Sequence, residues 1–572
     1  MPHSQALSYP FFVLCLACLS LASPSLPKRA SSGITTSPGA ADNKTFDYIV
    51  IGGGLTGTTV AARLTEDPGI SVLVIEAGAD DRQDPRVYDI YTYGQFTATE
   101  LDWAWPTVEG RVIKGGKTFG GGSSVNGAAY TRGAKEQYDA WSTLLEPFEA
   151  DVGWNWDGLC PYMIKSEAFS PPDDVQVSKG AQFIDTYHGY SGPVGVTFPE
   201  SGAMYGGPQQ PSFITTIQEL TGIKRSQDLN GGMPNGVSVT PITVNWRNQG
   251  RRSSAPEAYY TPVENARPNW VILTKHQVTK INWFGVSLPL TASGVEFAPS
   301  TGGPTRYVAF ARKEVIVAAG AIQTPALLQI SGIGDSAALG PLGIQTLIDL
   351  KTVGRNLQEQ SMSAVGATDN GFDIGGRGPS DAIAFPNIIE LFGAQWNTTA
   401  QKIFANIPNY AKSQAEGGLN EEALRTIFGV QADLIVNKYA PVSEIFYDTG
   451  YPAMVGMVMW NLLPFSRGTV IINSTDPFVY PTIKVNFFAA DIDMDIQVAT
   501  ARLSRRIITT PPLSFLTTGE KVPGNAVPDD AERGTDAAWN AWIKDTYVSV
   551  FHPVGTAAMM RRSLGESSAD DV

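Results

Sequence analysis

A glycine-rich turn between two apolar segments constrains the fold of this chain more than any other feature. Asp47–Ile51 is β-branched and aromatic, which predicts a buried strand, and it ends at the turn Gly52-Gly-Gly-Leu-Thr-Gly57. Thr58–Thr65 places apolar side chains on one helical face, and Val72–Ile75 predicts a second buried strand that ends at Glu76. A strand, a helix and a parallel strand in this order predict the β-α-β unit that binds dinucleotides.

Each residue type in the turn has a physical reason. Gly52 permits the tight turn, Gly54 lets backbone amides approach a pyrophosphate at the helix N-terminus, and Gly57 lets the helix pack closely on the strands. Glu76 follows Gly52 by 24 residues and can accept hydrogen bonds from both ribose hydroxyls, while its charge disfavours a 2′-phosphate. The turn therefore predicts a dinucleotide site, with FAD and NAD both open as the cofactor.

The rest of the chain predicts two domains. Its 572 residues are long enough for two lobes, and Val315–Ala319 reads as a third buried strand, so the nucleotide domain is built from separated segments. Thr469–Asn473 and Ile483–Phe487 alternate between turn residues, which predicts a largely antiparallel sheet. The expected fold is α/β, with a Rossmann-like nucleotide-binding domain over residues 42–360, whose insertions contribute to the substrate lobe, and a substrate-binding domain over residues 361–550.

The N-terminus and the charge indicate where such a protein works. The apolar run Phe11–Ala22 predicts a signal peptide over residues 1–22; because no Lys or Arg precedes the run, a membrane tether or a wrong start remains the alternative. A net charge of −14 argues against nucleic-acid binding. The sequons at Asn43, Asn397 and Asn473 are compatible with glycosylation. We expect a secreted protein without nucleic-acid or membrane partners, and the sequence leaves the oligomeric state open.

One acidic stretch deserves a separate reading because carboxylates can bind metals. Asp491–Asp495 carries three aspartates, but no histidine or metal-loop signature accompanies them. The stretch therefore predicts a solvated turn rather than a metal site, and no metal is expected.

Two further segments narrow the cofactor and resemble a known family. Gly116–Asn126 combines glycines and hydroxyls that permit close approach to a flat ring system. It resembles the first signature of the glucose-methanol-choline (GMC) oxidoreductases, except that Phe119 stands where an aliphatic residue or Trp is usual. Gly320–Gly334 matches the second signature throughout. The resemblance runs from Asp47 to about Met560 and implies that the cofactor is FAD.

The same resemblance implies roles for single residues. By position, Leu55, Thr56 and Glu76 would contact the adenosine side of FAD. Asn126 would lie by the flavin, and Val278 would contact the adenine through its backbone. Val278 also fits an ordinary strand role, because the residues around it have a strand pattern.

Alcohol oxidation sends a hydride to the flavin and the hydroxyl proton to a base, and imidazole suits the second task because it titrates near neutral pH. His188 and His276 stand in ordinary polar surroundings, which favours structural roles. His552 lies in Phe551–Met560, which resembles the family segment that holds the catalytic histidine. The resemblance implies that His552 is the base.

The expected function is that of a secreted FAD-dependent oxidoreductase that acts on the CH–OH group of a sugar or secondary-metabolite alcohol and passes electrons to oxygen or another acceptor. Members of the family continue for several dozen residues and supply a second active-site His or Asn, whereas residues 551–572 hold only the catalytic histidine segment and a polar tail. We therefore expect a C-terminally truncated chain, with a non-catalytic flavin-binding protein as the alternative. An NAD-dependent dehydrogenase fits the first turn but not the later segments.

Overall fold

The computed structural model describes residues 33–286, 288–379, 382–416, 419–530 and 533–565; the predicted signal peptide and the last residues of the predicted tail lie outside these ranges. The strands of the two large sheets are β1 Ile34–Thr35, β2 Lys44–Ile51, β3 Val72–Ile75, β4 Gly236–Val239, β5 Trp270–Leu273, β6 His276–Trp283, β7 Ala292–Pro299, β8 Tyr307–Val317, β9 Ser361–Asp369, β10 Ala382–Phe385, β11 Ser443–Thr449, β12 Val455–Asn461, β13 Thr517–Val522 and β14 Val548–Ser549. The longer helices are α1 Leu55–Leu64, α2 Lys135–Leu144, α3 Trp156–Ser166, α4 Gln209–Thr221, α5 Gly320–Ile330, α6 Trp396–Gln414, α7 Glu421–Val436, α8 Asp491–Thr509 and α9 Asp536–Thr546.

The first sheet has the strand order β1-β5-β3-β2-β8-β7-β6. The first five of these strands run parallel, and β7 and β6 extend one edge antiparallel. The predicted third strand is confirmed, because Val315 and Val317 at the end of β8 pair with Ile49 and Ile51 of β2. All four residues of β3 are buried, as a strand in the middle of a covered parallel sheet requires.

The second sheet has the order β13-β9-β12-β11-β10-β4, with β14 beside β9, and all its pairs are antiparallel. One face packs on α8, whose apolar side chains join those of β9, β11 and β12 in one core. The predicted fold class is confirmed: a Rossmann-like parallel unit and a largely antiparallel sheet form one α/β protein. Strand β4 comes from the middle of the chain, so residues before 361 contribute to the second sheet.

Three local predictions differ from the structure. Helix α1 begins at Leu55 rather than Thr58, because the last residues of the glycine turn are already helical. Thr469–Ile471 and Thr482–Lys484 do pair, but as a separate hairpin outside the large antiparallel sheet. Its buried side chains pack instead against Trp105 and Ile322, next to the nucleotide-binding part of the fold.

The acidic stretch is the third difference, since Asp491–Asp495 forms the first turn of α8 and not a solvated turn. The carboxylate of Asp493 is buried and accepts hydrogen bonds from the backbone N–H groups of Phe465 and Ser466, both at 2.8 Å, and from the Ser466 hydroxyl at 2.6 Å. Burial raises the pKa of Asp493, and these donors lower it. Within the described ranges, no group of three or more His, Cys, Asp or Glu side chains could hold a metal ion.

Candidate functional site

A cleft of about 600 Å³ opens where three parallel strands end. Ile51, Ile75 and Val317, the last residues of β2, β3 and β8, line it. Open α/β sheets bind their ligands outside the carboxyl ends of the strands. The position of the cleft is therefore that of a nucleotide site.

Two helices begin at this cleft. The N-cap residues of α1 and α5 are Gly54 and Ala319, and neither supplies a side-chain cap. The first backbone N–H groups of a helix lack partners within it, and the helix dipole adds partial positive charge there. The two N-termini together favour an anionic ligand such as a pyrophosphate.

The glycines of the first turn have different tasks. Gly52 has a φ of +95°, and a Cβ on Gly57 would lie 2.0 Å from the Gly52 carbonyl oxygen. Gly57 therefore lets α1 pack against the strand, as its spacing predicted. A Cβ on Gly54 would meet no described atom within 4 Å, because Gly54 borders the open cleft. A side chain there would take space that a bound ligand needs.

The carboxylate of Glu76 links the glycine-rich turn to the segment that follows β3. One carboxylate oxygen accepts from the Gly53 N–H and the other from the Gly78 N–H, each at 2.7 Å. Burial raises the pKa of Glu76 to about 7, although the two N–H groups and Lys117 lower it. Each carboxylate oxygen has a second lone pair, so the side chain can still accept from a ligand hydroxyl.

The structure brings most of the predicted site residues together. The predicted site residues that line the cleft are Gly52, Gly54, Leu55, Thr56, Glu76 and Val278. Among the described residues, Gly57, Asn126 and His552 do not line the cleft. Phe551 and Pro553, on either side of His552, do line it. Asn126 instead accepts from the buried guanidinium of Arg252, at 2.6 Å through its backbone oxygen and 2.7 Å through its side-chain oxygen.

His552 lies beside the cleft with its imidazole exposed. Its Nδ1 is 2.9 Å from Oε1 of Gln360, and its backbone N–H donates to Oε1 of Glu359 at 3.2 Å. The ring meets Trp460 edge to face, with 6.1 Å between centroids. Solvent reaches the imidazole, but the surrounding protein partly desolvates it and lowers its pKa. A neutral imidazole, which can accept a proton, is favoured.

The antiparallel sheet turns a polar and aromatic face toward this histidine. Along β11, Ser443, Ile445 and Tyr447 are buried in the core, while Glu444 and Phe446 on the opposite face are half-buried. Trp460 pairs with Glu444 in the sheet register, and its ring stacks on Phe446 at 6.4 Å. Burial raises the pKa of Glu444 to about 8, so its carboxyl can donate a hydrogen bond at neutral pH.

Sequence comparisons show the family to which the chain belongs. Models of the N- and C-terminal parts of the GMC oxidoreductases match residues 46–362 and 464–569. This chain is a GMC oxidoreductase. It is 34% identical to a glucose oxidase of Aspergillus carbonarius, with 94% of this chain and 87% of the relative aligned. It is 36% identical to the glucose oxidase-like protein fsoC of Humicola fuscoatra, over 92% and 88% of the two chains.

Solved structures give the same family fold. An FAD-dependent oxidoreductase from Chaetomium thermophilum superposes with a TM-score of 0.82 at 28% identity, over 91% of each chain. A fungal aryl-alcohol oxidase superposes with a TM-score of 0.78 at 26% identity, also over 91% of each. As a GMC oxidoreductase, the chain is an FAD-dependent enzyme that acts on CH–OH donors.

Two other histidines of this GMC oxidoreductase are held inside the fold. His188 is buried between Glu167, 2.7 Å from Nδ1, and Asp228, 2.8 Å from Nε2, and Arg132 donates to the same Glu167. Burial lowers the pKa of His188, but the two carboxylates outweigh it and raise the pKa to about 8. His276 lines the cleft and lies 2.9 Å through Nδ1 from the Thr274 carbonyl.

Sequence reasoning missed two residues beside His552. Glu359 is buried, accepts from the backbone N–H of both Gln360 and His552, and has a pKa that burial raises to about 7. Gln360 contacts the imidazole itself. Both lie inside the region from Asp47 to about Met560 that resembles the family, but neither belongs to the signature segments from which site residues were predicted.

Proposed function

We propose that this GMC oxidoreductase oxidises the CH–OH group of a ring-bearing alcohol to a carbonyl, with His552 as the base. The observation that carries the proposal is the place of His552: its chain neighbours Phe551 and Pro553 line the nucleotide cleft, and its exposed imidazole packs edge to face on the buried Trp460, on the side of the antiparallel sheet opposite α8. A proton acceptor that solvent can reach therefore lies at the edge of the cofactor cleft.

The cleft fits FAD in its polar and steric features. The N-termini of α1 and α5 suit the pyrophosphate, and the open space beside Gly54, where a Cβ would meet no described atom within 4 Å, leaves room for a ligand. Leu55, Thr56 and Glu76 would hold the adenosine side, with Val278 at the adenine. Asn126, fixed by Arg252, would lie by the flavin. Bound FAD supplies the hydride acceptor, and the protein then has to supply the base.

His552 would take the hydroxyl proton while the carbinol carbon loses its hydride, so the substrate loses two electrons and two hydrogens and becomes a carbonyl compound. The lowered pKa of His552 keeps the imidazole neutral and ready to accept at neutral pH. The sign of the pH dependence follows: substrate-driven flavin reduction should slow as the pH falls through the pKa of His552 and level off above it.

The side chains next to His552 support a substrate that carries a ring. The half-buried Phe446 offers aromatic surface beside Trp460, and the half-buried Glu444 offers a carboxyl that can exchange hydrogen bonds with hydroxyl groups. A sugar ring and an aromatic alcohol both satisfy this surface, and relatives include a glucose oxidase and an aryl-alcohol oxidase. Oxygen or another acceptor would reoxidise the enzyme.

Secretion is part of the proposal. The apolar run at residues 11–22 has the length of a signal peptide core, and Asn43, Asn397 and Asn473 are all exposed. No helix in the described part of the chain is long and apolar enough to cross a membrane. Expression in a secreting fungal host should release the protein into the medium, and enzymatic deglycosylation should reduce its mass. Retention of all the protein inside the cell would contradict this part.

The base is tested by mixing the holoenzyme anaerobically with a panel of sugars and aromatic alcohols and following flavin absorbance. The wild type should be bleached by at least one alcohol, and His552→Ala should lose about 10²–10⁴-fold in that rate while still holding FAD. Dithionite, which needs no base, should bleach both proteins equally. Equal bleaching of both by the alcohol would remove His552 from the mechanism. A wild-type flavin that no alcohol bleaches would favour a non-catalytic flavoprotein.

A further inference from the structure

The hydrogen bonds around His552 determine which of its ring nitrogens carries the hydrogen. Nδ1 lies 2.9 Å from Oε1 of Gln360, and the amide nitrogen of Gln360 lies 3.1 Å from the carbonyl oxygen of Leu462. A carbonyl oxygen can only accept, so the NH₂ end of the amide must face Leu462 and the oxygen end must face His552. The amide oxygen also only accepts, and therefore Nδ1 must be the donor.

We propose that Gln360 is a positioning residue that holds His552 as its Nδ1–H tautomer, which makes Nε2 the atom that takes the substrate proton. The inference rests on the proposed role of His552 as the base. A neutral imidazole carries one hydrogen, so a hydrogen donated from Nδ1 leaves the lone pair on Nε2. An imidazole without this partner exchanges between two tautomers, and only one of them presents Nε2 as an acceptor.

The backbone fixes the two side chains opposite each other. Gln358 and Val554 exchange two backbone hydrogen bonds, at 2.8 and 2.9 Å, and the Val550 N–H donates to the Gln360 carbonyl at 3.2 Å. These bonds set the register of the two segments, which places residue 360 beside residue 552. The contact between the side chains is thus built on paired backbone and not on a free loop.

The carboxyl of Glu359 also holds the backbone of Gln360 and His552 in place. Its Oε1 accepts from the Gln360 N–H at 2.8 Å and from the His552 N–H at 3.2 Å, so one buried carboxyl holds the backbone on both sides of the contact. Through these bonds the carboxyl would limit relative motion of Gln360 and His552.

An amide is suited to this task because it orients the imidazole without adding charge. A carboxylate in the same place would stabilise the imidazolium and raise the pKa of His552. Other titratable groups near the ring are Glu359, Glu444 across from Trp460, and Lys114, whose ammonium lies 5.0 Å from the centre of the Phe551 ring. Gln360 thus orients the base while leaving it uncharged near neutral pH.

The test measures the tautomer directly, by ¹⁵N NMR of the histidine rings in holoenzyme labelled with ¹⁵N-histidine. The His552 signals are identified by their loss in His552→Asn. At a pH above its pKa, wild-type His552 should show the shifts of the Nδ1–H form, and Gln360→Leu should show averaged shifts or the Nε2–H form. Gln360→Glu should retain Nδ1–H and titrate at a higher pH. Nε2–H in the wild type, or an unchanged tautomer in Gln360→Leu, would overturn the proposal.

Kinetics supply the second readout. Gln360→Leu should slow substrate-driven flavin reduction about 10- to 100-fold, less than the loss of the base itself, and Gln360→Glu should recover part of the rate with its acid limb moved to higher pH. Gln227→Leu is the matched control, because Gln227 also donates its amide to a carbonyl, that of Phe183 at 2.9 Å. It should leave rate and tautomer unchanged.

The two proposals fail separately. If His552→Ala keeps full activity but NMR shows the Nδ1–H form, the base role is lost and the tautomer assignment stands. If His552→Ala is inactive but the wild type shows Nε2–H, the assignment to Gln360 is lost and the base role stands. Thermal unfolding of Gln360→Leu and Gln360→Glu checks that both variants are folded.

Discussion

Gly57 and Gly54 are three residues apart in one turn, and adding a methyl group to each should have opposite effects. The Cβ of Gly57→Ala would lie 2.0 Å from the Gly52 carbonyl oxygen and 3.1 Å from a methyl group of Val50, whereas a Cβ essentially never approaches another heavy atom closer than 3.0 Å. Helix α1 would have to move about 1 Å away from β2. Overpacking of this kind costs about 1–3 kcal/mol.

The Cβ of Gly54→Ala would meet no described atom within 4 Å, and the backbone of Gly54, at φ −74° and ψ −164°, is one that alanine adopts readily. Replacing glycine by alanine at such a position stabilises a protein by about 0.4–1 kcal/mol, because the unfolded chain loses conformational freedom. The methyl group would, however, occupy the cleft where the pyrophosphate is expected. If it costs about 1–3 kcal/mol of binding, the Kd for FAD rises about 5- to 150-fold.

Two assays separate these effects. Thermal unfolding of the apoproteins should give Gly57→Ala a Tm lower by about 1–3 °C and Gly54→Ala a Tm equal to or slightly above that of the wild type. Titration with FAD, followed by quenching of flavin fluorescence, should give Gly54→Ala a Kd raised about 5- to 150-fold although its apoprotein is not destabilised. A wild-type Tm for Gly57→Ala, or a destabilised Gly54→Ala apoprotein that binds FAD normally, would refute the assignment of packing to one glycine and ligand space to the other.

Three more changes test the buried polar groups. Glu76→Gln should lower the apoprotein's stability by about 1–3 kcal/mol, seen as a lower Tm, because an amide can accept from only one of its two backbone N–H partners. His188, with its pKa raised to about 8, stabilises the fold fully below about pH 6.5; this contribution of about 2 kcal/mol should disappear as the pH rises through 8, and the Tm of His188→Gln should lack that step. Asp493→Ala should cost about 3 kcal/mol or more in thermal unfolding, since two backbone N–H groups and a hydroxyl lose their acceptor, whereas Asp493→Asn should cost less.

The β-α-β unit that forms one side of the nucleotide cleft could be predicted from sequence because the residues that define it are close together in the chain. Gly52, Gly57 and Glu76 lie within one β-α-β unit, and the reasons for each residue type are contained in that unit. The surroundings of His552 are different. Gln360 lies 192 residues earlier in the chain, and its contact with the imidazole depends on how two distant segments pair. No local periodicity contains that information.

Asp493 shows that a run of acidic residues does not by itself establish solvent exposure. A run of aspartates predicts solvent exposure, yet this carboxylate is buried because a loop at Phe465 and Ser466 brings three donors to it. The buried face of the amphipathic helix α8 carries the aspartate into the core, and the donors offset its desolvation. For the hairpin at residues 469–484, the alternating pattern predicts strands correctly. The sheet that a strand joins depends on tertiary packing, which the pattern does not contain.

The pairing of β2 with β8 has a consequence for synthesis of the protein. Lys44 pairs with Ala309, which is 265 residues later, and the cleft is completed only by residues 551–557. A ribosome must therefore release β2 long before its second neighbour β8 exists, and such long-range closure is slow. The FAD site is therefore completed only near the end of synthesis. We expect free FAD to stabilise the folded protein by mass action and not to act on early folding steps.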